Sequence, residues 1–338
     1  MSNDKIDDLF DVNKMEKTIR KAKWKANWRV VIISSIVLIV VFIVGSILNR
    51  VVTHKLETPV QFSASGFYEI SAPNEFMGKQ ERYQGFLGGE NRYTTYKIIE
   101  GKVVYTGQER FGYGLFRDEN LNRVDITSPI LIGPTLHEED LQNQHYNELG
   151  QREMVFFYPF LQYKTYRNDL KLLDDIGEDK IMEVALSFDQ GYTFDEVQSM
   201  ISNNVTLSWL WVDDVNEDTD DFQYKYVNEN GDIVVLDNLL RSEHSVYGLS
   251  LLDENGDKKE EPVHHFIGAI EVNQQFKAYW QGEFKRLYET LSGADGQLTA
   301  DDLQYYGAVV TGDTQTLSQL NDLPFIKAST IGVITDKN

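Results

Sequence analysis

The sequence predicts an α+β protein. One N-terminal transmembrane helix is followed by an extracytoplasmic region with a β-rich part and a strand–helix–strand sandwich domain. Three observations predict this class: an uncharged apolar run near the start, β-branched and aromatic runs separated by turn residues, and two strand–helix–strand patterns towards the end. The expected segments are a cytoplasmic tail (1–29), a transmembrane helix (30–48), a β-rich extracytoplasmic region (50–150) and an extracytoplasmic α+β domain (151–338).

The predicted span depends on residues 30–48, which read VVIISSIVLIVVFIVGSIL and contain no charged residue and no proline. At ~1.5 Å per residue this run covers ~28 Å as a helix, close to the hydrocarbon thickness of a bilayer. A core helix of a soluble protein would need a polar face, which this run lacks. The alternative is a cleaved signal peptide, which needs a shorter apolar core and a small-residue cleavage site. The sequence from the last two residues of the run onward, ILNRVVTHKL (47–56), offers no such site.

Basic residues before the span predict its orientation. Lys and Arg near a span favour the cytoplasmic side, and residues 14–29 hold seven of them against one acid, Glu16. The predicted location is therefore the plasma membrane, crossed once, with the N-terminus in the cytoplasm and the C-terminal domain outside. Trp24 and Trp28 lie one helical turn apart just before the apolar run, and with Arg29 they are expected at the membrane interface.

Composition excludes several function classes. The chain of 338 residues has a net charge of -21 and no cysteine. Direct nucleic-acid binding by the outer part is disfavoured, because contact with phosphates needs the opposite charge. Structural zinc held by thiolates is excluded. An outer domain without disulfides must rely on its hydrophobic core, which suits a bacterial exterior.

Strand and turn signals dominate residues 60–134. The runs YTTYKII (93–99) and VVY (103–105) are rich in β-branched and aromatic residues and are separated by a Glu-Gly turn, so they predict a hairpin. Helical signals follow at Glu138–Leu149 and around Asn168–Ile176.

Two strand–helix–strand units are predicted from about residue 180 onward. Thr193 and Glu196 have the spacing of a capping box, which opens the helix of the first unit. A longer amphipathic helix is expected between the units, at about Asn273–Leu291. The predicted strands are 181–188, 205–212, 306–311 and 326–334, and the helix of the second unit is 314–320.

Metal-site patterns are weak throughout the chain. The six histidines lack metal-site spacing, and His264 and His265 are expected in a strand with their side chains on opposite faces. Residues 294–302 imitate the second half of an EF-hand loop but lack its first ligands, so a glycine turn followed by a Thr-x-x-Asp helix cap is favoured. The acidic run 213–221 is expected to be a solvated loop.

Catalytic signatures are also absent from the sequence: it contains no G-x-S-x-G motif and no phosphate-binding loop. Carboxylates are plentiful, so composition does not exclude paired-acid glycosidase chemistry, but no pattern positions a pair. We therefore expect neither an enzyme nor a cofactor.

The segment before the span is too short for a catalytic domain. Asn13 followed by Glu16 predicts a helix that runs into the span. Two interpretations stay open from the residues alone. The segment is either an anchor on anionic lipid, or a partner-binding segment that folds on binding. The candidate partner-binding residues are Ile6, Leu9, Phe10, Met15 and Ile19.

Several segments together resemble a family of bacterial sigma-factor regulators. These are single-pass anti-sigma factors for extracytoplasmic-function sigma factors, mostly of Gram-positive bacteria. The order and spacing of the segments carry the resemblance more than any one of them does. The segments are WKANWRVVIISSIVLIVVFIVGSIL (24–48), ISAPN (70–74), MVFFYPFLQY (154–163), EVALSFDQGYTFDEV (183–197), VTLSWLWVDD (205–214), YGAVVTGDTQTLSQL (306–320) and IKASTIGVITD (326–336).

The resemblance implies that the cytoplasmic segment sequesters a sigma factor at the membrane, while the outer domain responds to the state of the envelope. The implied partners are an extracytoplasmic-function sigma factor and the lipid bilayer, and a second membrane protein is left open. The acidic and apolar residues 6–11 would complement the basic DNA-binding surface and apolar clefts of a sigma factor. The competing functions are a membrane-anchored envelope binding module without enzymatic activity, and an ectoenzyme that acts on wall polymers.

Overall fold

The computed structural model describes residues 12–115, 146–215, 222–228 and 230–337. These residues form five α-helices and twelve β-strands, which confirms the predicted α+β class. The chain divides into two compact units, Met1–Lys55 and Leu56–Asn338.

The helices are α1 (Val12–Ser71), α2 (Phe194–Met200), α3 (Pro262–Asn273), α4 (Gln281–Leu291) and α5 (Thr314–Leu317). The strands are β1 (Glu75–Gln84), β2 (Gly88–Ile99), β3 (Lys102–Gly114), β4 (Val155–Phe156), β5 (Lys180–Tyr192), β6 (Thr206–Val212), β7 (Gln223–Val227), β8 (Ile233–Asn238), β9 (Arg241–Ser242), β10 (Gly248–Ser250), β11 (Tyr305–Asp313) and β12 (Ile326–Asp336).

Helix α1 contains the predicted span. Every side chain from residue 30 to residue 48 is exposed, and the helix is long and apolar enough to cross a membrane. Strands were expected from residue 60, but α1 continues to Ser71. The reason is a helical apolar face in which Val60, Ala64 and Phe67 recur at spacings of four and three and are buried in the core of the second unit.

Strands β1, β2 and β3 form an antiparallel sheet in that order. The turn between β2 and β3 is the predicted Glu-Gly pair. Glu100 has φ 49° and Gly101 has φ 78°, and two positive φ values are what a two-residue hairpin turn needs to follow the twist of its strands. The predicted hairpin is therefore confirmed.

Both predicted strand–helix–strand units are present, as β5–α2–β6 and β11–α5–β12. They share one antiparallel sheet of order β10-β6-β11-β5-β12. Strand β11 lies between β5 and β6, and β5 lies between β11 and β12, so the two strands of each unit are separated by a strand of the other. This interdigitation is the split β-α-β arrangement of ferredoxin-like folds.

Different segments of the chain pack on the two faces of this sheet. On β5, Met182, Val184 and Leu186 belong to the core formed with the helices. Ala185 and Ser187 alternate with them and face the segment 154–163, where the amide of Phe157 donates to the Ser187 hydroxyl at 2.9 Å. Both faces of the sheet are therefore buried, which explains strands that are apolar along their whole length.

The long helix predicted at Asn273–Leu291 is wrong in extent, because the chain leaves the helix after Asn273 and re-enters it at Gln281. The turn between them brings Trp280 onto Phe67, with stacked rings 4.9 Å apart. The free energy gained by burying this large ring offsets the loss of the helical turns between the two helices.

His264 and His265 were expected in a strand, and that expectation is also wrong. Both lie in α3, which begins at Pro262, a residue that suits the first turn of a helix.

Two other helical signals had different outcomes. The signal around Asn168–Ile176 corresponds to a 3₁₀-helix at Asp169–Asp175. The predicted helix Glu138–Leu149 falls mostly outside the described residues, and its described end, 146–149, forms a bridge and a turn.

Candidate functional site

The predicted partner-binding residues divide into two sets. Met15 and Ile19 lie four positions apart on α1, so they share one face of the helix, and they are 52% and 49% exposed. An exposed apolar pair at this spacing is the kind of anchor that a helix presents to a groove on a partner. Ile6, Leu9 and Phe10 lie outside the described residues.

The predicted membrane-interface residues lie immediately before the apolar run. Trp24 and Trp28 are exposed, and their rings meet edge to face with centroids 5.9 Å apart. Arg29, also exposed, directly precedes the first residue of the run. The three residues therefore lie within about one and a half turns of the helix, directly before the apolar run.

A second group of functional-type residues lies inside the second unit, and we call it the Lys97 cluster: Lys97, Glu183, Glu243 and Asn74. The Lys97 ammonium lies 2.6 Å from Glu183 Oε1 and 3.0 Å from Glu243 Oε2. Lys97 belongs to β2, Glu183 to β5, and Glu243 directly follows β9. The cluster therefore ties the three-stranded sheet to the five-stranded sheet.

Neutral donors complete the cluster. Asn74 Nδ2 donates to Glu183 Oε2 at 3.2 Å, and the amide of Val333 donates to Glu183 Oε1 at 3.1 Å. The amide of Met154 donates to Glu243 Oε2 at 3.2 Å. Such bonds are required, because a buried carboxylate without partners is strongly destabilising.

Burial and charge act in opposite directions on these groups. Burial would lower the pKa of the Lys97 ammonium, but the charges of Glu183 and Glu243 outweigh it, so the pKa lies above its usual value. Burial raises the pKa of the Glu243 carboxyl, and the nearby ammonium offsets only part of this effect. Lys97 and Glu183 are almost fully shielded from solvent, so the cluster holds strands together rather than contacting a solute.

The acidic run 213–221 is not simply a solvated loop. Asp214 is buried, and its carboxylate pairs with the Arg286 guanidinium of α4 at 3.2 Å, while its carbonyl accepts from the same side chain at 2.8 Å. Burial raises the pKa of the Asp214 carboxyl, and Arg241 and Arg286 oppose that effect. Residues 216–221 of the run lie outside the described part of the chain.

Across residues 12–115, 146–215, 222–228 and 230–337, no group of three or more His, Asp or Glu side chains could hold an ion. In the segment that imitates an EF-hand, Gly296 turns the chain with φ 75°, and Thr299 and Asp302 form a capping box. The turn-and-cap interpretation is confirmed.

The described fold joins one helix of membrane-spanning length to an α+β domain that packs both faces of its main sheet. A helix long and apolar enough to span a membrane, together with a compact unit, is consistent with single-pass membrane anchoring. Comparison with family models identifies the family. The sigma factor regulator N-terminal model matches residues 16–104, and the sigma factor regulator C-terminal model matches residues 173–333.

The chain therefore belongs to the sigma factor regulator family, which is regulatory, and its domains support an anti-sigma factor role. No curated protein and no solved structure matches the chain. The Lys97–Glu183 pair joins a residue of the first matched region to a residue of the second.

Sequence reasoning missed the Lys97 cluster, although a signal for it is present. Lys97 sits in the β-rich run YTTYKII, and Glu183 sits in the apolar strand IMEVALSF. A single charge within an otherwise apolar strand is unusual, because it must either reach solvent or find a buried partner. Glu183 therefore predicts a buried partner of opposite charge, but β2 has three charged residues, so its sequence does not single out Lys97.

Proposed function

We propose that the protein is a membrane-bound anti-sigma factor that sequesters an extracytoplasmic-function sigma factor through its N-terminal segment, residues 1–29. That segment faces the cytoplasm, and Leu56–Asn338 lies outside and responds to the state of the envelope. Membership of the sigma factor regulator family supports the regulatory role. The single observation that carries the choice of site is the exposed face of α1 formed by Met15 and Ile19.

The proposed orientation rests on charge. Seven Lys and Arg residues occupy positions 14–29, and the described side chains there are all exposed, so they can face an anionic inner leaflet. Trp24, Trp28 and Arg29 would then lie at the cytoplasmic membrane–water interface.

The proposed contact is a helix in a groove. Met15 and Ile19 supply two anchors, and the apolar residues Leu9 and Phe10 precede them in the sequence. Acidic residues at positions 4, 7, 8 and 11 complement a basic partner and accelerate encounter with it.

The test is co-precipitation from detergent-solubilised membranes of the native host. Full-length protein is compared with the double variant Met15→Ala/Ile19→Ala and with Lys17→Ala, a control on the opposite side of the same helix. We expect a sigma factor with the wild type and with Lys17→Ala, and recovery reduced at least about tenfold with the double variant, because it loses two anchors. Equal recovery from all three would show that this face does not carry the contact.

A further variant distinguishes the alternative function. It lacks residues 2–20 but keeps the basic flank from Lys21 to Arg29, so the anchor is preserved. Loss of the sigma factor from this variant supports sequestration by the segment. Identical sets of co-purified proteins with and without residues 2–20 would instead favour an envelope binding module whose N-terminus is only an anchor.

Orientation has its own test, since the chain contains no cysteine. Lys17→Cys and Val103→Cys place single thiols at exposed positions on opposite sides of the span, and Val103 is 69% exposed. A membrane-impermeant maleimide is expected to label Val103→Cys in intact cells and Lys17→Cys only after lysis. The reverse pattern would contradict the proposed topology.

A further inference from the structure

A cavity of about 350 Å³ lies at one end of the five-stranded sheet. Three strand ends form it: the end of β5 at Asp189–Gly191, the residue after β6 at Asp213, and the start of β11 at Gln304 and Tyr306. A turn at Pro159 and Phe160 forms the remaining wall. Its volume is in the lower range of small-molecule sites in proteins.

The cavity is acidic. Its described lining residues include two carboxylates, Asp189 and Asp213, and no Lys, Arg or His. Tyrosine hydroxyls orient both carboxylates: Tyr192 donates to Asp189 at 2.7 Å, and Tyr306 donates to Asp213 at 2.6 Å. Two like charges in one concave site concentrate negative potential there and attract cations.

The cavity also has an aromatic wall. The rings of Phe160 and Tyr306 have centroids 5.9 Å apart and planes inclined at 60°. Aromatic faces attract organic cations through the ring quadrupole, and the attraction grows when the cation loses water. The side-chain amides of Gln190 and Gln304 add neutral hydrogen-bonding groups to the same lining.

The aromatic wall is held in place by a lysine behind it. The Lys327 ammonium donates to the carbonyls of Pro159 at 2.8 Å and Leu161 at 2.7 Å, so the turn that carries Phe160 is fixed from β12. A site whose walls are already ordered loses little conformational entropy when a ligand binds.

We propose that this cavity binds an organic cation, the guanidinium group of a small molecule or of an arginine side chain in a peptide. The cation sits between the two carboxylates, against the rings of Phe160 and Tyr306, and donates its N–H groups to the carboxylates. The binding site belongs to the Leu56–Asn338 unit and does not depend on the proposed contact of residues 1–29.

The test uses full-length protein in detergent micelles and ligand-observed NMR titration. The first probe is N-acetyl-arginine methylamide. The second is N-acetyl-citrulline methylamide, which has nearly the same shape but a neutral urea group. We expect saturable binding of the arginine probe, weaker at high salt because Asp189 is exposed to solvent, and at least about tenfold weaker binding of the citrulline probe.

The variants test the location. Asp189→Asn and Asp213→Asn are each expected to weaken arginine-probe binding about tenfold, whereas Asp174→Asn, an exposed acid outside the cavity, leaves it unchanged. Asp189 is at the surface, so its variant should fold even if Asp213→Asn does not. Equal binding of both probes by the wild type, or unchanged binding by Asp189→Asn, would overturn the proposal.

A third comparison separates the two sources of the cation. Butylguanidinium represents a free guanidinium compound, and N-acetyl-Ala-Arg-Ala-amide represents a peptide that contains arginine. Tighter binding of the tripeptide identifies a peptide ligand, and equal binding identifies a small organic cation. Failure of both to bind would overturn the proposal, while leaving the test of residues 1–29 unaffected.

Discussion

Lys97 and Glu183 form a buried ion pair, 2.6 Å between charged atoms, that joins the three-stranded sheet to the five-stranded sheet. They are 86 positions apart in the chain, and each side chain is almost fully shielded from solvent. The pair therefore contributes to the association of two parts of the fold that match separate family models.

Removal of the Lys97 ammonium should strongly destabilise the protein. Lys97→Met leaves Glu183 buried without its cation and Glu243 with only the His244 imidazole, at 4.0 Å. Breaking a buried pair in this way costs about 3–5 kcal/mol. The measurement is the free energy of unfolding in urea for full-length protein in detergent. Lys285→Met, which changes an exposed lysine of α4, is the matched control and should change that free energy by less than about 0.5 kcal/mol. A loss below about 1 kcal/mol for Lys97→Met would show that the cluster contributes little.

A methyl group at Gly332 should disrupt the same cluster from β12. A Cβ there would lie 2.6 Å from Glu183 Oε1 and 2.7 Å from Met154 Cγ, so Gly332→Ala must displace the carboxylate or the strand. We expect a loss of about 1–3 kcal/mol, as for other overpacked cores.

Gly268→Ala is the natural control for this substitution. Gly268 lies within α3, and its Cβ would meet nothing within 4 Å, so the alanine should stabilise the helix by up to about 1 kcal/mol. The thermal midpoints of the two variants should therefore move in opposite directions. Movement in the same direction would contradict the packing around Gly332.

Phe67 should be a main contributor to the core beneath α1. It is buried, and its ring stacks on Trp280 at 4.9 Å and meets Phe284 edge to face at 6.4 Å. Phe67→Ala should lower the free energy of unfolding by about 3–5 kcal/mol. Phe62→Ala, on the same helix but 53% exposed, should have less than half that effect in the same urea titration. Equal effects would mean that α1 does not pack as described.

Asp313 should make stability depend on pH in the acid range. Its carboxylate accepts from the Lys337 ammonium at 2.7 Å and from the amide of Thr316 at 2.8 Å, and these bonds lower its pKa from 3.8 to about 2. A lowered pKa stabilises the folded state above the unfolded value, and this contribution is lost as the pH falls from about 4 to about 2.

The shift corresponds to at most roughly 2 kcal/mol, which solvent screening reduces. Asp313→Asn should therefore flatten the dependence of unfolding free energy on pH between about 4 and 2, and Asp174→Asn should not. An unchanged slope in Asp313→Asn would refute the assignment.

Local patterns predicted the order of elements well. The hairpin turn at Glu100-Gly101, the capping box of Thr193 and Glu196 and the cap at Thr299 depend on residues one or three positions apart, and all of them are confirmed. Predictions failed where distant contacts decided the outcome. Strands were expected from residue 60, but helix α1 continues there and buries Phe67 in the core. The single helix expected at Asn273–Leu291 is interrupted, and the interruption places the Trp280 ring against Phe67.

The candidate sites show the same division. The exposed pair Met15 and Ile19 follows from helical spacing alone, so the sequence could predict it. Asp214 was expected in a solvated loop, yet it is buried against Arg286, 72 positions away. No local pattern reveals a partner at that distance.

The sequence alone determined that the chain has a helix able to cross a membrane and two strand–helix–strand units, because charge, apolar periodicity and capping act over a few residues. The tertiary structure alone decided that β11 inserts between β5 and β6, and that Lys97 meets Glu183 and Glu243. The physical reason is that strand order and the pairing of buried charges depend on which surfaces are buried against each other. Those surfaces belong to distant segments of the chain, so the contacts exist only in the packed fold.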